Sequence, residues 1–216
     1  MSGAKPKRKH NLSPKALGLL IVGVLLLMVP YIVVHTGYSG KVLIAAEGTT
    51  PPFDKTLILI GRHNVDGAMG IILNKPLSES QRTKLSPFIR DAGIPVGYGG
   101  PLEATDRIFV MEEKNPAHPG ETPILEISDW DEAVHATPGL LDKIRASIKN
   151  GEQRYRVFTG FANWGPLQLE TETLLEHRWY AIPAEQDTVF HSNATPSWDV
   201  LELREKTKKE IRPDKS

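Results

Sequence analysis

Cysteine is missing from this sequence altogether. Disulfides, thiol redox chemistry and Cys-based zinc sites are thereby excluded. The seven histidines, at positions 10, 35, 63, 118, 135, 177 and 191, form neither H-x-x-x-H nor H-E-x-x-H, so no helical metal pair is present. There is no G-x-S-x-G nucleophile elbow, and the serines fall mainly in loops and caps. A P-loop and a dinucleotide fingerprint are also lacking. Gly97-Tyr-Gly-Gly100 runs into Pro101, not into a helix able to cradle phosphate. That stretch reads instead as a glycine-rich strand end where two backbones approach closely. Asp129, Asp131 and Glu132 lack the spacing of a calcium loop and read as a solvated acidic turn. The sequence therefore predicts no metal and no cofactor.

Net charge is also lacking, but only in the sum: 26 basic residues balance 26 acidic ones. Residues 1–15 carry five Lys/Arg and no acid, and residues 201–216 carry six basic and four acidic residues. The stretch 35–200 is left with 15 basic and 22 acidic residues, a net charge of −7. An acidic domain is a poor nucleic-acid partner, because neutralising phosphates requires clustered Lys and Arg.

Charge is absent over one further stretch. Ala16 to Val34 is a run of 19 uncharged residues containing Leu25-Leu-Leu-Met-Val29. As a helix it would extend about 29 Å, the thickness of a hydrocarbon core. The expectation is a single transmembrane helix at 16–34 behind a basic arm at 1–15. A cleaved signal peptide is the competing reading, although Tyr38-Ser39-Gly40 makes a poor small-x-small cleavage site. Five basic residues precede the span, and the first after it are Lys41 and Lys55. The positive-inside rule then puts the arm in the cytoplasm and the domain outside an inner membrane, in the periplasm of a Gram-negative cell.

What is present is a domain over 40–200 and a charged tail over 201–216. Its organising stretch is a hairpin. Thr56-Leu-Ile-Leu-Ile60 and Ala68-Met-Gly-Ile-Ile-Leu73 are apolar runs of strand length, joined by a polar loop ending in Asp66-Gly67. Continuous apolar character implies burial on both faces. Pro76 ends the second strand. Further strands are expected at 41–46, 94–102, 107–111, 124–127, 154–161 and 179–182. Helices are expected over 77–92, from the Thr137-Pro138 cap to Asn150-Gly151, after Pro166, and after Thr195-Pro196. A surface loop is expected over 112–122 and a tight loop over 160–165.

Four blocks in order resemble the YqgE/AlgH family of bacterial proteins. They are Gly40-Lys-Val-Leu-Ile-Ala-Ala46, His63-Asn-Val-Asp-Gly-Ala-Met-Gly-Ile-Ile-Leu-Asn-Lys-Pro76, Gly99-Gly-Pro-Leu102 and Gly160-Phe-Ala-Asn-Trp-Gly-Pro-Leu-Gln-Leu-Glu170. The resemblance spans 40–196. Two departures stand out: family members usually begin at the opening block, and Ala46-Glu47-Gly48 occupies the place of a usual proline. Strand and helix alternation predicts an α+β class. The resemblance adds the detail of a bent mixed sheet forming a partial barrel with surrounding helices. It brings no settled biochemical function.

Candidate ligand-binding residues are His63, Asn74, Lys75, Asn163 and Trp164; no catalytic residue is assigned. His63 can serve proton transfer or can hold the signature turn together. Trp164 can anchor a ligand or partner, or can pack inward. Asn74 and Lys75 would join them if the loops converge. Two functions remain open at this point. One is a membrane-anchored, non-catalytic regulatory or interaction module with a protein partner. The other is a small-ligand-binding or weakly catalytic cleft at the signature loops.

Overall fold

Three apolar segments near the start of the domain form the centre of a sheet. In the computed structural model these are β1 (Lys41–Ala45), β2 (Leu57–Asn64) and β3 (Gly67–Ile72). The structure describes residues 37–114, 124–152, 154–190 and 198–211, together with Ser13, Lys15, Leu19 and Gly23. β2 and β3 pair antiparallel in the register Ile58↔Ile72 to Asn64↔Gly67, which leaves Val65 and Asp66 as the turn. Gly67 has φ +123°, a conformation that disfavours a Cβ. Side chains of these strands are buried on both sides, as their unbroken apolar character implies.

After β3 come two short helices, α1 (Glu79–Arg82) and α2 (Pro87–Arg90), then β4 (Val96–Tyr98) and β5 (Ile108–Lys114). The chain continues through β6 (Ile124–Asp129), α3 (Trp130–Ala136) and α4 (Leu140–Lys149). β7 (Tyr155–Thr159) and β8 (Ala162–Trp164) follow. α5 (Gln168–Glu170) runs on into a π-helical turn, Thr171–Leu175. β9 (Trp179–Pro183), α6 (Gln186–Val189) and α7 (Trp198–Ile211) complete the described elements.

The strands form two sheets, not a partial barrel. One has the order β8-β3-β2-β1-β9 and the other β4-β7-β5-β6. The second is mixed, because β4 runs parallel to β7 while the other pairs are antiparallel. Side-chain alternation gives each sheet two apolar faces. Val42, Ile44, Leu59 and Ile71 meet Phe109, Met111 and Phe158 of the other sheet in the shared layer. Leu43, Ile58, Ile60 and Ile72 pack on the far side with Trp164, Leu169 and Trp179. The outer face of the second sheet, with Val110 and Val157, is covered by Leu85, Ile89, Leu140 and Ile144 from the helices.

The two sheets meet at one corner. Ile72 N–H donates to Gly99 O, Gly99 N–H to Thr159 O, and Leu102 and Phe161 form a bridge. A Cβ on Gly100 would run into the Phe161 backbone, which is why glycine stands there. The close-approach reading of this block therefore holds. The opposite edges, β6 and β9, have no pairing with each other. A sandwich joined along one corner results, and the barrel does not close.

Other expectations change in detail. The helix expected over 77–92 is broken in two, because Pro87 cannot donate a backbone hydrogen bond and starts a second helix. Residues 160–165 are not merely a tight loop: Ala162–Trp164 pair with β3 as an edge strand. The acidic turn at Asp129 is a helix start, where the Asp129 carboxylate accepts from Asp131 N–H and from Arg107. The tail expected from residue 201 is helical through Ile211, with Leu201 buried. The loop at 115–123 and the Thr195-Pro196 cap lie outside the described residues. So does the expected span 16–34, apart from Leu19 and Gly23. No helix among the described residues is long and apolar enough to cross a membrane.

Candidate functional site

The five residues singled out by the sequence fall in three places. Cross-strand register aligns His63 with Ala68, and Ala68 with Trp164. His63 and Trp164 therefore lie on one face of the first sheet, two strands apart, or roughly 10 Å. Arg62, Met69 and Asn163 form the next row and face the other way, with Asn163 exposed. Asn74 and Lys75 follow the opposite end of β3.

His63 is enclosed. Its side chain is 2% exposed and its Nε2 lies 2.9 Å from Glu170 Oε1, itself 6% exposed. Nδ1 accepts the Tyr38 backbone N–H at 3.3 Å, and the Tyr38 ring meets the imidazole edge-on at 5.2 Å. An Nδ1 that accepts carries no proton, so the ring hydrogen sits on Nε2 and is donated to the carboxylate. Burial, foremost, raises the Tyr38 phenol pKa, and the Glu170 charge adds to the rise. The ensemble ties the first residues of the domain, β2 and α5 together.

Trp164 also turns inward. It packs with Phe53 and Trp179 at ring separations of 6.0–6.3 Å. Glu172 Oε2 accepts both indole N–H groups, at 2.9 Å from Trp164 and 2.8 Å from Trp179. Gln168 Nε2 donates to the other oxygen of the same carboxylate. The indole donors are thus satisfied inside the fold.

Asn74 and Lys75, by contrast, border an open cleft of about 550 Å³. The walls come from Leu73–Pro76 after β3, from Pro95–Gly97 on β4, from Ile148 at the end of α4, from β7, and from Phe190 beyond α6. That size suits a small molecule. The Asn74 amide is occupied, accepting from Leu57 N–H and donating to Lys55 O. Tyr155 donates its hydroxyl to Glu112, and burial first, then the Glu112 charge, raises its pKa. Lys75 has a loose contact, 3.5 Å, with Asp54.

Arg156 also lines this cleft, and the sequence reading passed over it. Its guanidinium sits 4.8 Å above the Phe158 ring and donates to Leu73 O at 2.7 Å and to Val189 O. Burial pulls its pKa down to about 10, which still leaves it cationic at neutral pH. No carboxylate among the described residues forms an ion pair with it. The period-2 pattern of β7 puts Arg156 on one face with Phe158, but Tyr155 and Val157 make the other face apolar too, so the sequence carries no signal that singles Arg156 out. A second cavity of about 450 Å³ lies at the bulge of β2, lined by Gly61, Arg62, Met69 and Ile127. Apart from Arg62 its side chains are apolar.

Fold and site together define a two-sheet α+β domain with a small-molecule-sized cleft that carries cationic side chains. The chain belongs to the AlgH-like family, whose model (DUF179) matches residues 42–207. It is 35% identical to a UPF0301 protein of Ruegeria pomeroyi over 168 residues, covering 74% of this chain and 88% of that one. It is also 35% identical to a UPF0301 protein of Nitrosococcus oceani, covering 68% and 78% of the two chains. Its structure is similar to the solution structure of the AlgH protein from Pseudomonas aeruginosa, with a TM-score of 0.50 and 26% identity. That match covers 76% of this chain and 85% of the other. A Corynebacterium diphtheriae protein shares the fold at 21% identity and the same TM-score.

Proposed function

We propose that this AlgH-like protein is a non-catalytic regulatory module that binds a small ligand in the cleft between β4, β7 and the segment after β3. The observation that carries the reading is the cleft itself, with Arg156 and Lys75 among its lining residues. Lys75, Glu152 and Tyr155 in the lining are groups capable of acid–base work, but the Tyr155 hydroxyl is engaged with Glu112 and Glu152 is exposed, so the cleft is better furnished to bind and orient a ligand than to activate one. His63, the residue best suited to proton transfer, is engaged with Glu170 away from this cleft. The test is a thermal-shift screen of the full chain with a metabolite panel, repeated on Ile148→Trp. Ile148 is 43% exposed at the cleft wall, so the larger side chain obstructs the cleft without entering the core. Ligands that raise the melting temperature of the parent should fail to do so with the variant. Conversion of any bound compound to product, or shifts that survive the obstruction, would overturn the reading.

We further propose that residues 16–34 tether the module to the inner membrane with residues 40–216 in the periplasm. The support is the uncharged run and the five positive charges before it. Protease added to intact spheroplasts should degrade the domain. Survival until the membrane is lysed would put the domain on the cytoplasmic side.

A further inference from the structure

Arg156 is a half-buried cation with no carboxylate paired to it among the described residues. Among the described residues its guanidinium donates to two backbone carbonyls, Leu73 O and Val189 O, and it has five N–H donors. Removing a full charge from water is costly when no opposite charge balances it. The guanidinium lies over the Phe158 ring at 4.8 Å, a cation–π contact that helps hold it in place.

Lys75 adds a second positive charge to the same cleft. Its contact with Asp54 is long and both side chains are partly exposed, at 29% and 42%, so the pair holds the ammonium weakly. The acid among the lining residues, Glu152, is itself exposed, and the carboxylate of Glu112 is taken up by Tyr155. A locally cationic cleft therefore sits in a domain that is net acidic. Its other walls are apolar: Val96, Ile148, Phe158 and Phe190.

From this geometry we infer that the ligand is a small organic anion, a carboxylate or a phosphate ester on an apolar body, whose charged end binds Arg156 and Lys75. This rests on the proposed function above, and adds the charge and shape of what is bound. A planar guanidinium meets two oxygens of either head group in parallel. The apolar part lies against Phe158, Ile148 and Phe190. Lys75, at the more exposed position, closes on the anion from the side of the segment after β3.

The test uses the full chain and four compounds that share one body: 1-naphthoate, 1-naphthyl phosphate, 1-naphthamide and 1-naphthylmethylamine. Binding is measured by calorimetry. One or both anions should bind at least about tenfold more tightly than the neutral amide, and the amine should bind most weakly. A tighter naphthoate marks a carboxylate ligand, and a tighter naphthyl phosphate marks a phosphate ester. Lys75→Glu should weaken the anions about tenfold or more and leave the amide unchanged. Arg156→Met should abolish anion selectivity, but it also removes two bonds that hold Leu73 and Val189. Lys75→Glu is therefore the decisive variant, since its side chain is partly exposed. Equal or better binding of the amide or amine overturns the anion assignment and leaves the cleft as a binding site. Anion binding indifferent to Lys75→Glu also overturns the assignment. Failure of all four compounds to bind removes both the assignment and the reading beneath it.

Discussion

His63→Ala should destabilise the domain by about 3–5 kcal/mol, because two groups, one of them a buried charge, are left without a hydrogen-bond partner. Two losses combine. Glu170 is left as a buried carboxylate without its Nε2 donor, and the Tyr38 N–H loses its acceptor. At about 2–4 °C per kcal/mol for a domain of this size, the melting temperature should fall by roughly 6–20 °C. Glu170→Gln separates the two protonation states of the pair. With the proton on Nε2 of a neutral ring, the glutamine oxygen still accepts it, and the loss should be near 1 kcal/mol. An imidazolium would instead lose its counter-charge, and the two variants would be equally damaging. His63 does not line the cleft, so His63→Ala, held below its lowered melting temperature, should bind 1-naphthoate like the parent. A lost ligand response with unchanged stability would return His63 to the site.

Gly67→Ala should be more damaging still, by upwards of about 4 kcal/mol, with little soluble protein recovered. Two costs fall on one atom. The φ of +123° lies where L side chains are strained, and the new Cβ would stand inside the carbonyl oxygen of Trp164, with Gly165 close behind. Neither obstacle is a flexible side chain. The backbone of β8 would have to leave β3, breaking the Ala68↔Trp164 register and exposing the Phe53–Trp164–Trp179 cluster. Gly93→Ala is the control. It also has positive φ, +68°, but nothing lies within 4 Å of the added methyl. That variant should cost only about 1 kcal/mol. Similar melting temperatures for the two would mean that close packing against β8 is not what fixes Gly67.

The sequence by itself determined the local units of this protein. Leu57–Ile60 and Ala68–Ile72 could be recognised as a doubly buried hairpin because their apolar pattern and the Asp66-Gly67 turn are neighbours in the chain. Gly99-Gly100 could be recognised as a site of close approach because glycine density reports backbone geometry directly. The four blocks marked the family for the same reason: they specify shape over short spans. Tertiary structure decided which faces those units present, and to what. Whether β9 meets β6 to close a barrel depends on strands more than 50 positions apart, and no local pattern encodes it. His63 and Trp164 each had a pocket and a core reading in the sequence until Glu170 and Glu172 supplied acceptors for them inside the fold. Arg156 sits in a strand of alternating polarity that sequence alone cannot orient, because either face of β7 is covered by something: helices on one side, the other sheet on the other. Only the packing of β7 against the end of β3 brought Arg156 beside Lys75, 81 positions earlier in the chain, and so made a cationic cleft from two residues with no relation in sequence.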